Sequence, residues 1–502
     1  MKLKTNSVKK NYFRKVAFGL GPRDEVPSEP VAWAQAQVES VPSIDWDGPI
    51  FSEKELLDKR ADYRSGEDKI RERYKNDREG LKQAWKKLDH NTGKQFFEGL
   101  ELNIRHHAAR HSGSPVFERL WWFWSNHFAI LDKDSLANFN TGVFQREVVR
   151  ENLCGSFTDL LEATTTSFAM IMSLDNSDSV GPNSQVGKWK KEKGEPVSIN
   201  ENHARELLEL HTVGPDAGYS QKDVVALAYI MAGWECPWSK KRHKANPVKF
   251  NQKKHEPGNH KVFDKAYKQR GITPKNKLLD IVKDLAKHPS CRRFITHKLC
   301  RHFICDHPTK DMMRPIIKAW DESGGDLPSI HKALLEVAYD YTGVFEKFQN
   351  PEIWLLQMAT MADLNWPVAS KDFKYDFSTK PTKHMRRVRD DLKEIGLQPY
   401  RPIQPNGWSD LSADWISPEL ILRRIVFARN FSVSGSDFYG RGFGPKNWSP
   451  VHMLQSNFDN LEPIIDYLSL NKGTWHLDPK IRELHPYNVI QTLFPSKWML
   501  SA

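Results

Sequence analysis

Residues 117–131 read FERLWWFWSNHFAIL. Ser114 and Pro115 precede them as a cap and a first-turn proline, and Glu118 lies in the first turn, so the run predicts a helix. That helix is apolar nearly all round. With no polar stripe to turn to solvent, it must be a buried core helix. The rest of the chain agrees. Residues 144–152 and 156–163 read as two helices hinged at Gly155, and Ser417-Pro418-Glu419 repeats the start signal before LILRRIVFARNF. Strand alternation is weak everywhere. The fold class expected is all-α, a multi-helix core with at most a minor β-hairpin in residues 237–270.

At 502 residues, 39% apolar and with 17 Trp, the chain holds two or three domains' worth of core. A main helical domain is expected over 1–367, with loops at 174–200 and 236–274. A loop or linker rich in Lys, Pro and Asp follows at 368–407, then a C-terminal helical segment, 408–502, packing on the same body. No apolar run approaches the ~20 residues of a membrane helix. The basic N-terminus has no apolar h-region, which predicts a cytoplasmic chain. Five cysteines, an odd number without a CxxC, argue against a disulfide framework or a thiolate zinc site. The net charge of +11 is local: residues 237–270 hold eleven Lys or Arg against Glu256 and Asp264, a net +9. Such a run is more often a solvated insertion than a polyanion site.

Polar chemistry concentrates in residues 200–234, NENHARELLELHTVGPDAGYSQKDVVALAYIMAGW. Asn200 can cap a helix from Glu201, and Gly214 lies just past its end. Ala204, Leu207, Leu208 and His211 share one face at helical spacing, while Glu201, Arg205 and Glu209 form an i, i+4 stripe. Glu206 lies between that stripe and His203. A second helix starts at the capping box Ser220-x-x-Asp223 and buries Val224, Leu227, Ala228 and Met231. Glu206, Glu209 and His211 could act as acid/base groups or metal ligands. An ion-pair ladder and a satisfied core histidine are the plainer alternatives.

Other histidines are weaker signals. His107 and His111 share a helix face beside Arg105 and Arg110, with no carboxylate near in sequence, and read more simply as a surface basic patch. His127 ends the aromatic helix, where a pocket-facing group could sit. His255-Glu256-Pro257-Gly258 lies in the basic loop. His297 and His302, in HKLCRHF, read as structural. GxGxxG, GxxxxGK[ST], GxSxG and HExxH are all missing.

In order along the chain, KVAFGLGP, FERLWWFWSNHFAI, FQREVVRENLCGSFTDLLEATTTSFAMIMSLDN, the 200–234 segment, HEPGNHKVF, HPSCRRFITHKLCRHFICDHP, PNGWSDLSADWISPELILRRIVFARNF and LFPSKWML resemble a bacterial family catalogued as domain of unknown function 1800. The resemblance implies a mostly helical fold and no settled reaction. It also implies a joint role with a sulfatase-like family, number 1501, whose genes often lie alongside. Its polar pattern maps onto His127, Asp175, Asn176, Asn200, Glu201, Asn202, Arg205, Glu206, Glu209, His211, His255 and Lys261. Ser125 stands where a second histidine is common, and Glu256 where Asp is usual.

Three functions stay open. The first is an enzyme with a polar pocket, with Glu206, His211, His255 and Arg205 as catalytic candidates. His127, Glu206, Glu209, His211 and His255 would be ligands for a divalent transition metal, should one bind, and the enzyme would act with the sulfatase-like partner. The second is a non-catalytic scaffold for that partner, marked by an exposed aromatic patch at 121–124 or 408–415. The third and weakest is nucleic-acid or polyanion binding through the basic loop.

Overall fold

The computed structural model describes residues 6–21, 24–92, 94–132, 135–239, 244–245, 248–268, 276–361, 366, 383–433 and 500–501. Residues 368–382 of the expected linker, and residues 434–499 of the expected C-terminal segment with nearly all of the closing LFPSKWML, fall outside them. Helices dominate the architecture, twenty α-helices among the described residues. None is long and apolar enough to cross a membrane.

Helix Pro115–His127 lies at the centre, with eleven of its thirteen residues buried. Burial on every side forces its polar atoms to find partners inside the protein. Glu118 pairs with Arg150 at 2.6 Å, and Arg150 also donates to the Pro42 carbonyl. Trp121 Nε1 donates to the Gln145 carbonyl at 2.6 Å, and Trp124 Nε1 to His331 Nε2 at 3.0 Å. The helix expected at 144–152 is present but wound irregularly, a π-helical stretch Phe144–Val149 running into a 3₁₀ turn Arg150–Asn152. Arg146 on it makes two bonds to Glu101, and Ser156 then opens helix Phe157–Thr165 with a capping box.

One core cluster runs from Tyr12 to Leu500 and takes in Phe427 and Ala428, so helix Pro418–Val433 shares the main core. Three local expectations need revision. Residues 174–200 are more than a loop, since Ser184 caps helix Gln185–Glu192. Its sequence, QVGKWKKE, is too polar to show an apolar stripe. The basic insertion forms three two-stranded antiparallel pairs rather than one hairpin. These are Trp234–Glu235 with Lys249–Phe250, Trp238–Ser239 with Lys244–Ala245, and His260–Val262 with Lys265–Tyr267. Strands of two or three residues are too short for alternation to register. Helix Lys383–Glu394 occupies part of the expected 368–407 loop and packs on helix Lys94–His111.

Arg150→Met would leave Glu118 buried without its counter-charge. Urea unfolding should register a loss of about 3–5 kcal/mol, the cost of breaking a buried pair on one side. A loss within the ordinary surface range would show the pair to be dispensable.

Candidate functional site

The 200–234 segment folds as the helical hairpin its spacing predicts, with helices Asn202–Glu209 and Gln221–Met231. Asn200 Oδ1 accepts from the Asn202 amide at 2.8 Å, so the helix starts one residue later than expected. His203, Ala204, Leu207 and Leu208 are buried, whereas Glu201, Arg205, Glu206 and Glu209 keep partial access to solvent. The charge stripe is only half a ladder. Arg205 pairs with Glu201 at 3.1 Å and also donates to Gln221, while the Tyr219 hydroxyl bonds Glu209 at 3.2 Å. Burial and the neighbouring Glu209 push the Glu206 carboxyl up to about 7, against the pull of Arg205.

The turn after the first helix presses on helix Pro289–Phe303. Gly214 has φ +83°, and a Cβ there would lie 2.7 Å from the Phe294 ring, so glycine is required on both counts. This packing brings His211 and His127 near Lys298. His127 Nε2 lies 3.3 Å from the His211 carbonyl, and the two rings are 6.1 Å apart. His127 Nδ1, His211 Nε2 and both nitrogens of His203 have no partner. Burial holds His211 and His203 near about 3 and His127 well below its usual value; the Lys298 cation adds to this for His127 and His211. Burial also lowers the Lys298 amine to about 8.

His255 belongs to a different setting. Its Nδ1 bonds the Ala232 carbonyl at 2.9 Å, its Nε2 lies 3.4 Å from Lys277 Nζ, and burial lowers it to about 4. Among the described residues, no three His, Cys, Asp or Glu side chains form a group that could hold a metal. The expected ligand set His127, Glu206, Glu209, His211 and His255 is therefore not assembled as one shell. The carboxylates lie towards solvent, His127 and His211 are buried beside an ammonium, and His255 is engaged at the end of the second helix. Glu256 is a clamp, accepting from Asn183 N and Nδ2 at 2.8 and 2.6 Å.

The His107 region is no surface patch. Arg105, His106 and His107 are buried, and Arg105 and His106 converge on Glu352 at 3.1 and 3.2 Å. Glu352 is 247 residues distant from Arg105 in sequence, which hid it from a local reading. A cleft of about 610 Å³ lined by Leu20, Asp24, Glu25, Trp33 and His111 lies nearby. Its titratable Asp24, Glu25 and His111 are exposed.

The most developed acid–base geometry lies at His302, a histidine whose sequence context alone predicts a structural role. Its Nδ1 is 2.6 Å from Asp410 Oδ1, with the two side chains 6% and 13% exposed. Since an ionised carboxylate only accepts, Nδ1 carries the proton and Nε2 is the free acceptor. Nε2 has no partner. His302 lines two small cavities. One of about 10 Å³ includes Arg119, Asn350, Ser409 and Asp410; the other, of about 30 Å³, includes Ser125, Asn126, Asn350 and Glu352. Each has room for a water or little more. The buried Ser125 Oγ also lacks a partner.

Asp410 is held from several sides. Asn126 donates Nδ2 to the Trp408 carbonyl and accepts from the Trp408 amide, both at 2.8 Å. Gly407, at φ +75°, makes that approach; a Cβ there would collide with the Asn126 carbonyl oxygen. Lys347 donates to the Asp410 carbonyl and to Asp306. Burial would raise the Asp410 carboxyl, but His302, Lys347 and Lys298 outweigh it and lower it overall. Burial lowers His302 despite Asp410. At neutral pH the dyad is a neutral imidazole on an ionised carboxylate. HKLCRHF and PNGWSD both stood out as motifs, but nothing in either signals the pairing across 108 residues.

A family model described as "Protein of unknown function (DUF1800)" matches residues 12–491, nearly the whole chain, and the chain belongs to that family. No curated protein and no solved structure matches it.

Glu206 offers a direct check on the hairpin's electrostatics. Its carboxyl titrates near about 7 folded and about 4.3 unfolded. The folded state therefore holds the extra proton between these values. The stability it contributes is full below about pH 4.3 and is lost as pH rises through about 7. Wild type should lose more stability than Glu206→Gln between pH 5 and pH 8 in urea titrations. Parallel curves would show that Glu206 is not perturbed.

Proposed function

We propose that the chain is a hydrolytic enzyme in which His302, oriented by Asp410, is the general base. The observation carrying this reading is the buried pair: one imidazole nitrogen fixed by a carboxylate, the other unpartnered, on a residue that lines two water-sized cavities. His302 Nε2 takes a proton from a water in the cavity, and that water attacks the substrate. Asp410 stabilises the imidazolium that forms, and His302 then returns the proton to the leaving group. Ser125 Oγ is placed to hold the water from the second cavity.

A second reading places proton transfer on helix Asn202–Glu209, favoured by the Glu206 carboxyl held at about 7, in the range suited to acid–base work. Arg205 and Glu209 flank it there. Joint action with a sulfatase-like protein is carried by the family resemblance and joins either reading. The scaffold alternative asked for an exposed aromatic patch. Trp121, Trp122, Trp124 and Trp415 are buried, which speaks against it at those positions. In the basic insertion, Lys249 and Lys254 face Glu235, Lys261 faces Asp264 and Lys265 faces Asp284. Such pairing supports a solvated insertion over a polyanion site.

Purified protein should be assayed against chromogenic carboxylic, phosphate and sulfate esters. At least one should turn over, and Asp410→Asn should lower kcat by roughly 10²–10⁴-fold, the usual contribution of an oriented acid–base group. Absence of turnover across the panel, or an unchanged rate in Asp410→Asn, sinks the reading. Loss in Glu206→Gln with Asp410→Asn unaffected moves the chemistry to the helical hairpin.

A further inference from the structure

Three buried arginines each meet a carboxylate. Arg105 has Glu352, Arg146 has Glu101 and Arg150 has Glu118. Arg119 and Arg424 do not. Arg119 is 1% exposed; its Nη2 reaches Gln349 Oε1 at 3.3 Å, and its Nε and Nη1 have no partner. Arg424 is fully buried on the same glutamine, with Nη1 on the Gln349 carbonyl at 2.9 Å and Nε and Nη2 unpartnered. A buried guanidinium with unbonded N–H donors and no direct ion pair is costly, and its fixed donors suit an oxyanion.

Arg119 lines the smaller cavity at His302, with Lys347, Asn350 and Ile353. Asn350 and Ile353 belong to the start of helix Pro351–Met361, where Asn350 Oδ1 caps the Ile353 amide at 2.9 Å. A helix N-terminus carries partial positive charge and free amides. The nearby carboxylates are already engaged: Asp410 by His302, and Asp306 by Lys347 and Ser412. Asp410 and Glu352 also act on Arg119 electrostatically, but neither bonds its guanidinium, whose Nε and Nη1 keep their donors free.

We infer that this cavity binds an anionic oxygen of the substrate, from a carboxylate, phosphate or sulfate group, between Arg119 and the N-terminus of helix Pro351–Met361. The inference deepens the hydrolytic reading of the same site. Room for about one oxygen means that the rest of the group lies outside this cavity. Arg424 acts behind Gln349, fixing the glutamine that orients Arg119. The substrate would be an anion, held by its charge while water attacks a neighbouring bond.

Isothermal titration of the whole chain with sodium acetate, sulfate and phosphate, in separate arms, tests it. At least one should bind once per chain, and the arm that responds identifies the group. Asn350→Asp keeps the helix cap but sets a negative charge against the ligand; affinity should fall roughly tenfold or more, as losing one charged hydrogen bond implies. Arg119→Gln, checked for fold by circular dichroism, should abolish binding. No saturable binding in any arm overturns the proposal, as does an unchanged Kd in Asn350→Asp. Asp410→Asn separates the two readings, since it removes the orienting carboxylate but should keep or tighten anion binding. Binding in wild type without ester turnover defeats hydrolysis alone, and turnover without binding defeats the anion site alone.

Discussion

The structure depends on burying helix Pro115–His127 on every side. Each large apolar side chain taken from water contributes on the order of 1.5–3 kcal/mol, and this helix buries Phe117, Leu120, Trp121, Trp122, Phe123 and Trp124 in sequence. The same geometry also buries Glu118, Arg119, Ser125 and His127. A surface helix would turn these to solvent. Here other segments must meet each one, and the fold is the set of solutions. Arg150 answers Glu118, the Gln145 carbonyl answers Trp121, His331 answers Trp124, and the Trp408 backbone answers Asn126.

These solutions are unequal along the helix. Towards its start, Glu118 is fully paired. Arg119, Ser125 and His127 each keep an unpartnered polar atom although they are buried. Buried polar groups are satisfied in the great majority of cases, so exceptions call for a reason. The first two line the cavities at His302, and the third meets His211 beside Lys298. Unmet hydrogen-bonding capacity thus gathers where the helix faces Pro289–Phe303, the helix that carries both Lys298 and His302. A stability-only design would have filled these positions with apolar residues or completed the network.

Much of this was legible in the sequence where the signal was local. The aromatic helix, the helical hairpin at 200–234 and its Ser220–Asp223 capping box follow from spacing over one or two turns. The mostly helical class followed from the same signals. What escaped was pairing at long range. Glu352 with Arg105, and Asp410 with His302, join residues 247 and 108 positions apart, and no periodicity encodes such a meeting. The expected metal ligands are not drawn into one shell for a related reason. Helical spacing put Glu206 and His211 on adjacent faces, but tertiary packing turned one towards solvent and buried the other. Polar helices such as Gln185–Glu192 and Lys383–Glu394 escaped because their stripes are short or charged.

The two proposed acid–base centres differ in what holds them, and that difference bears on the chemistry each could do. Glu206 is raised by partial burial and a like charge three residues on, and solvent or a moving side chain can relax both. His302 and Asp410 are opposite in kind and nearly enclosed. Burial pushes each towards its neutral form, yet the carboxylate stays ionised because His302, Lys347 and Lys298 surround it. That leaves a neutral imidazole with one nitrogen committed and one free. In the proposed reaction, a proton on Nε2 would place the new charge against a carboxylate already in position, with little reorganisation required. The Asn126–Trp408 clamp fixes the carboxylate's segment to the aromatic helix, which also carries Arg119 and Ser125. The packing constraint that organises the core therefore also brings the His302 helix and the Asp410 segment against the helix that carries Arg119 and Ser125.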